Sequence, residues 1–171
     1  MLTSFRGLVA VSLAAAGLSL STPAMAQSDD EVASDFTVSA NVALTTDYRF
    51  RGVSLSGGDP ALQGGFDVAH DSGFYVGTWA SSIDGGAAYG DLELDIYAGW
   101  SGKLSDAVRV DVGALYYLYP TESLGLDTDY IEPYASVGVN FGPAEATFGV
   151  AYAPKQDSLG GDDNLYLYTD V

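Results

Sequence analysis

Ten charged residues occupy the polar positions of segments in which polar and apolar residues alternate. Facing lipid they would be costly, with Arg or Lys near mid-membrane worth about 2–4 kcal/mol, so they must face water or one another. Lining a wide β-barrel, seven acids against three arginines would favour cations. In a narrow barrel the same groups would pair and fill the interior, leaving no pore. The predicted pore-lining residues are Asp47, Arg49, Arg51, Asp67, Glu93, Asp95, Arg109, Asp111, Glu132 and Glu145.

Other candidate chemistry is weaker. His70 is the single histidine and falls in a predicted tight turn. A catalytic base needs a nucleophile and an orienting carboxylate within reach, whereas Ser72 and Asp71 are merely its turn neighbours. Residues 160–165 resemble one copy of a glycine-aspartate calcium repeat, but such repeats act by stacking many copies. We therefore predict no enzyme, no cofactor and no metal site.

Period-two alternation predicts β-strands, because only a strand collects alternate residues on one side. In the first segment Tyr48 and Phe50 fall on the apolar face, opposite Arg49 and Arg51. Most segments are near the 9–11 residues that cross a bilayer as tilted strands. The eight candidate strands are residues 36–51, 61–69, 74–82, 92–101, 107–119, 130–141, 145–153 and 164–171.

The connections between these segments alternate in length. Residues 70–73, 102–106 and 142–144 are short turns, and the long connections are 53–60, 84–91, 120–128 and 154–163. Outer-membrane barrels have short periplasmic turns, longer extracellular loops and aromatic girdles at both interfaces. The pattern predicts an all-β fold, an antiparallel transmembrane β-barrel of the bacterial outer membrane with a periplasmic N-terminus. The girdle candidates are Tyr48, Phe50, Trp100, Tyr116, Phe141 and Tyr152.

The first 26 residues have the pattern of a secretory signal peptide, with Arg6 before an apolar stretch and a small-x-small cleavage signature ending at Ala26. Residues 27–35 form an acidic periplasmic leader, and the barrel domain is 36–171. Cleavage removes one Arg and no acid, so the net charge changes from −17 to −18. Such an acidic chain excludes nucleic-acid binding through a basic patch. After residue 26 no apolar run is long enough for a spanning helix, so any membrane crossing must be made by strands.

Four blocks carry a family resemblance: residues 47–54 (DYRFRGVS), 60–67 (PALQGGFD), 72–79 (SGFYVGTW) and 92–99 (LELDIYAG). In that order and spacing the chain resembles the TorF family, also called the Gcw_chp domain family. The resemblance implies a proteobacterial outer-membrane β-barrel with a proposed porin role, and it brings no catalytic residues or substrate. In family terms the chain looks short and ends inside a strand without a terminal aromatic residue, so we expect eight visible strands of a C-terminally incomplete barrel.

The first functional hypothesis is therefore an outer-membrane porin, for passive diffusion of small polar or ionic solutes through an acid-rich lumen. Its partners would be outer-membrane lipid and lipopolysaccharide, the barrel-insertion machinery, and small polar solutes or cations. One alternative is a small closed barrel, without a pore, that acts structurally or in adhesion. The other is a membrane-embedded lipid hydrolase. The sequence names neither the solute nor the oligomeric state.

Overall fold

The computed structural model describes residues 34–171. The predicted signal peptide and most of the acidic leader lie outside the described residues. Short helical segments occur at Gly86–Tyr89 and Asp157–Leu159, and no helix of the described part is long and apolar enough to cross a membrane. The strands are β1 (Phe36–Thr45), β2 (Arg49–Phe50), β3 (Val53–Ser54), β4 (Ala61–His70), β5 (Phe74–Ser82), β6 (Leu92–Lys103), β7 (Val108–Leu118), β8 (Tyr130–Asn140), β9 (Glu145–Ala153) and β10 (Asn164–Asp170).

Eight of these strands form one antiparallel sheet in the order β1-β4-β5-β6-β7-β8-β9-β10. The predicted all-β, eight-stranded antiparallel architecture is confirmed. Within residues 34–171 no pairing joins β1 to β10, so the sheet is open and its closure into a barrel is not observed. The connections 71–73, 104–107 and 141–144 lie at one end of the sheet, and 46–60, 83–91, 119–129 and 154–163 lie at the other. We call these the short-connection end and the long-connection end.

The prediction of one strand over 36–51 is wrong beyond Thr45, where the chain leaves the sheet. Residues 47–56 instead form a small hairpin built on β2 and β3, which we call the inner hairpin. Its two-residue turn is Arg51-Gly52, with φ of 50° and 87°, and hairpin turns of this length favour positive φ. The side chains beyond Thr45 therefore no longer alternate between the two faces of the large sheet, and Tyr48 is almost fully buried rather than lying on the apolar face. Phe50 likewise packs inward, with its ring centroid 5.7 Å from that of Tyr117.

The strand register sorts the side chains onto two faces, because successive residues of a strand point to opposite sides. Asp67 pairs with Gly77, which pairs with Tyr97, so these positions share one polar face. This face is concave. Arg51 follows the end of β1 by six residues, about 20 Å of extended chain, yet its guanidinium lies over the ring of Tyr166 on β10, whereas a flat sheet would hold β1 and β10 about 34 Å apart.

Tyrosine rings cover the glycines of the concave face. Each of four rings lies across the glycine that is directly paired with it on the neighbouring strand. The absence of a side chain on each glycine lets the ring lie close to the backbone, which is a known way to pin strand register. The pairs are Tyr75–Gly99, Tyr97–Gly77, Tyr134–Gly113 and Tyr168–Gly149.

Candidate functional site

Three carboxylates are buried on the concave face, near the long-connection end. Glu93 and Asp95 occupy successive concave positions of β6, and Glu132 lies on β8. Their exposed fractions are 1%, 1% and 3%. We call these three residues the acidic cluster. Burial of a charged group is costly unless it is paired and hydrogen-bonded, so the partners of each carboxylate decide what the cluster can do.

Glu93 is fully partnered. Its Oε1 accepts a hydrogen bond from the Tyr48 hydroxyl at 2.6 Å, and its Oε2 accepts one from the Tyr119 hydroxyl at 3.1 Å. Both tyrosines lie outside the strands of the large sheet, and burial raises the pKa of each phenol above its ordinary value. They therefore remain neutral donors at every physiological pH.

Glu132 forms an ion pair with the inner hairpin. Its Oε1 accepts a hydrogen bond from Arg51 Nη2 at 2.6 Å and another from the Tyr117 hydroxyl at 3.2 Å. The Arg51 guanidinium also lies over two rings, 4.5 Å from the centroid of Phe50 and 4.1 Å from that of Tyr166. Because Tyr166 belongs to β10, Arg51 links the segment that follows the first strand to the last strand, across the concave face. Glu132 Oε2 has no hydrogen-bond partner among the described residues.

Asp95 is the unpaired member of the acidic cluster. Neither Oδ1 nor Oδ2 has a hydrogen-bond partner within residues 34–171. The side chain lies directly opposite Trp79 on one neighbouring strand and Tyr117 on the other. A buried carboxylate without donors is strongly unfavourable as an anion. The surroundings of Asp95 therefore favour a bound proton or the approach of a cation.

The inner hairpin is held in shape by Asp47. Its carboxylate accepts hydrogen bonds from the hydroxyls of Ser54 at 2.6 Å and Ser56 at 3.3 Å, and it lies 2.5 Å from Arg49 Nε. The Ser54 hydroxyl, followed by the Arg49 charge, holds the pKa of the Asp47 carboxyl below its usual range. Asp47 and Arg49 thus stabilise the hairpin from outside the acidic cluster.

The remaining predicted pore-lining residues lie on the same concave face, toward the short-connection end. Asp67 accepts a hydrogen bond from the Tyr97 hydroxyl, and Asp111 accepts one from the Tyr75 hydroxyl at 2.7 Å. Arg109 Nε donates to Ser101 Oγ at 3.0 Å, and Glu145 is exposed. The structure therefore places the seven residues of the predicted set that belong to the eight-stranded sheet on one face and brings Arg51 to it. Their role as the lining of a pore stays a prediction.

The alternation of polar and apolar residues does not identify the tyrosines as members of the site. They donate to four of the predicted acids, namely Asp67, Glu93, Asp111 and Glu132. A signal was present for Tyr97 and Tyr134, because both occupy the polar positions of the alternating segments 92–101 and 130–141. For Tyr48 the local pattern indicated the wrong face.

His70 makes contacts of the kind that a turn requires and one aromatic contact, with its ring centroid 4.7 Å from that of Phe36 on the neighbouring strand. Its Nδ1 lies 2.6 Å from Ser72 Oγ and accepts the Ser72 backbone N–H at 3.1 Å. These contacts close the connection at residues 71–73, at the opposite end of the sheet from the acidic cluster. Among the described residues no group of three or more His, Asp or Glu side chains is placed to hold a metal ion.

The sequence model of a family described as "Bacterial protein of unknown function (Gcw_chp)" matches residues 29–171. No curated protein matches the chain. No solved structure matches it.

Proposed function

The chain belongs to the Gcw_chp family of bacterial proteins of unknown function, and we propose that it is an outer-membrane β-protein that lets small cations pass along its concave face. The observation that carries the proposal is the division of the sheet into two faces. One face presents exposed apolar side chains, and the other carries seven of the charged side chains, six of them acidic.

The face opposite the concave face, which we call the outward face, supports a membrane location. Large apolar residues are exposed on every strand of the eight-stranded sheet. A water-soluble monomer rarely exposes a contiguous apolar surface of this extent. The members nearest to mid-strand include Val42, Phe66, Val76, Ile96, Val112 and Leu167.

The concave face supports passage of cations. Asp67, Asp111 and Glu145 each lie near the short-connection end of their own strands and keep contact with solvent. Rings of acidic side chains select cations in known channels, because their field lowers the energy of a positive ion relative to an anion. The acids outnumber the arginines, so the net field along this face is negative.

A membrane location requires that the edges of the sheet be paired, because unpaired backbone groups are too costly in lipid. With eight strands in antiparallel order, β10 runs antiparallel to β1. In a membrane, β1 and β10 must therefore pair, either with each other or with further strands.

A closed barrel without a pore is the second candidate, and one observation favours it. The acidic cluster and the inner hairpin fill the concave face at the long-connection end, where Thr45, Ser81, Glu93 and Asp95 are each only 1% exposed. In a narrow barrel such packing would leave no continuous path for an ion.

Single-channel recording in planar bilayers separates the two candidates. For the full chain we expect conductance with cation over anion selectivity. The variant Asp111→Lys should lower that selectivity, because it reverses a charge at the solvent-accessible part of the concave face. The matched control is Asp106→Lys, which makes the same charge change in the exposed turn 104–107. Folded protein that gives no conductance in repeated preparations would favour the closed barrel.

A further inference from the structure

The acidic cluster contains more acceptors than the protein supplies with donors. Both oxygens of Asp95 and the Oε2 of Glu132 lack hydrogen-bond partners within residues 34–171, and both side chains are more than nine-tenths buried. Natural proteins pair nearly all buried polar groups, so each exception indicates a missing partner or a functional role. The carboxylate exceptions lie on the same face of the sheet, on β6 and β8, which flank β7.

The acidic cluster already pairs with one cation of the protein itself, the Arg51 guanidinium. The Arg51 guanidinium reaches Glu132 Oε1 from the inner hairpin and lies over the rings of Phe50 and Tyr166. A planar guanidinium suits such a site, because it donates in several directions and stacks on aromatic faces. Further aromatic surface is present, since Tyr117 stacks on Tyr130 with ring centroids 4.3 Å apart.

A metal ion fits the acidic cluster less well than an organic cation. A small metal ion needs several ligands that converge on one point, and the described residues provide no such group. A guanidinium or primary ammonium group carries several N–H donors, so it can reach acceptors that do not converge.

We propose that the acidic cluster binds the guanidinium or primary ammonium group of a small organic cation, with Asp95 and Glu132 Oε2 as its acceptors and Arg51 as the internal competitor. Because the cluster is almost fully shielded from solvent, the ligand enters only when Arg51 leaves Glu132. This inference rests on the proposed function and names the class of solute, small organic cations, that the concave face would admit.

Tryptophan fluorescence gives a direct test. The chain has two tryptophans. Trp79 is paired with Asp95, whereas Trp100 donates to the Ser72 carbonyl near the short-connection end. In a Trp100→Phe background, Trp79 alone reports on the acidic cluster. The full chain in detergent micelles is titrated with methylguanidinium chloride, and sodium chloride at equal ionic strength is the reference.

We expect a saturable change in Trp79 fluorescence with methylguanidinium and none with sodium. Arg51→Gln should lower the Kd about fivefold or more, because the competitor is removed. Asp95→Asn should raise the Kd about tenfold, equivalent to about 1.4 kcal/mol for a lost charged acceptor. Asp106→Asn, which neutralises an exposed acid in the turn 104–107, should leave the Kd unchanged.

Equal Kd values for the parent and Asp95→Asn would overturn the proposal, as would the same response to sodium. Folding is monitored in each variant by urea unfolding, where methylguanidinium should also raise the stability of Arg51→Gln through binding to the folded state. Binding without conductance would refute the channel and leave this site standing. Conductance without binding would refute the site and leave the channel standing.

Discussion

The ring of Tyr97 on β6 lies across Gly77 on β5, its directly paired residue, and a β-carbon at position 77 would come within 2.5 Å of that ring. The Tyr97 hydroxyl then reaches Asp67, on the next strand beyond Gly77. The glycine therefore sets where the phenol points, and the phenol supplies the donor for an acid of the concave face. Three further tyrosine–glycine pairs repeat this arrangement along the sheet.

The first prediction concerns the close contact between Gly77 and the Tyr97 ring. Gly77→Ala should lower the free energy of unfolding by about 1–3 kcal/mol, because the new methyl group would overlap the Tyr97 ring and force it to move. Urea unfolding in detergent micelles measures the change. The matched control is Gly138→Ala on the same face of β8, where the nearest atom to an added β-carbon is the exposed Glu145 Oε1 at 3.0 Å. Equal losses in the two variants would contradict this account.

A double variant tests whether the ring is the cause. Adding Tyr97→Leu to Gly77→Ala removes the overlap, so the combined loss should be smaller than the sum of the two single losses. Contacting residues commonly show coupling of about 0.5–3 kcal/mol. Additive losses would indicate that alanine at position 77 acts through something other than Tyr97.

The second prediction concerns the outward face. Ile96 lies near the middle of β6 and is 44% exposed. In lipid vesicles Ile96→Arg should lower the free energy of unfolding by about 2–4 kcal/mol, the cost of Arg at mid-membrane. Leu124→Arg is the control, since Leu124 is 60% exposed but lies in the connection 119–129. If both variants unfold at the same urea concentration in vesicles, this face does not contact lipid.

The third prediction concerns the donors to Glu93. Tyr48→Phe removes one hydroxyl from a buried carboxylate and should lower the free energy of unfolding by about 1–3 kcal/mol. Tyr116→Phe makes the same chemical change on the outward face, where the side chain is 39% exposed, and should cost little. Urea unfolding of the two variants under one set of conditions compares them. A Tyr48→Phe protein as stable as Tyr116→Phe would show that the hydrogen bond to Glu93 contributes little.

Much of the sheet could be predicted from local pattern. The strands predicted over 74–82 and 145–153 have those bounds in the structure, and the others of the large sheet, except the first, differ by at most two residues at either end. The reason is that alternation persists along each strand and glycine or polar residues interrupt it at the turns. The order of short and long connections could be predicted for the same reason.

The candidate site could not be predicted in the same way. Polar and apolar residues keep alternating through 47–51, yet the chain leaves the sheet there, and the Tyr48 hydroxyl donates to Glu93, 45 residues away in sequence. The pairing of Arg51 with Glu132 spans 81 residues. The isolation of Asp95 depends on which donors its neighbours have already used. The local sequence indicates none of these relationships.

The last prediction compares the two ion pairs of the described chain, Arg51–Glu132 and Arg49–Asp47. The side-chain exposed fractions are 21% and 4% in the first pair, against 50% and 21% in the second. Breaking a buried pair by removing one partner costs about 3–5 kcal/mol, whereas exposed pairs are worth about 0–1 kcal/mol. Arg51→Gln should therefore destabilise the protein much more than Arg49→Gln does.

The two halves of the buried pair should also differ. Arg51→Gln leaves Glu132 as an unpaired buried anion near Asp95 and Glu93, whereas Glu132→Gln removes a negative charge from that group. We therefore expect Glu132→Gln to cost less than Arg51→Gln when the free energy of unfolding is measured for both at pH 7. A greater loss for Glu132→Gln would mean that repulsion among the three carboxylates is weak.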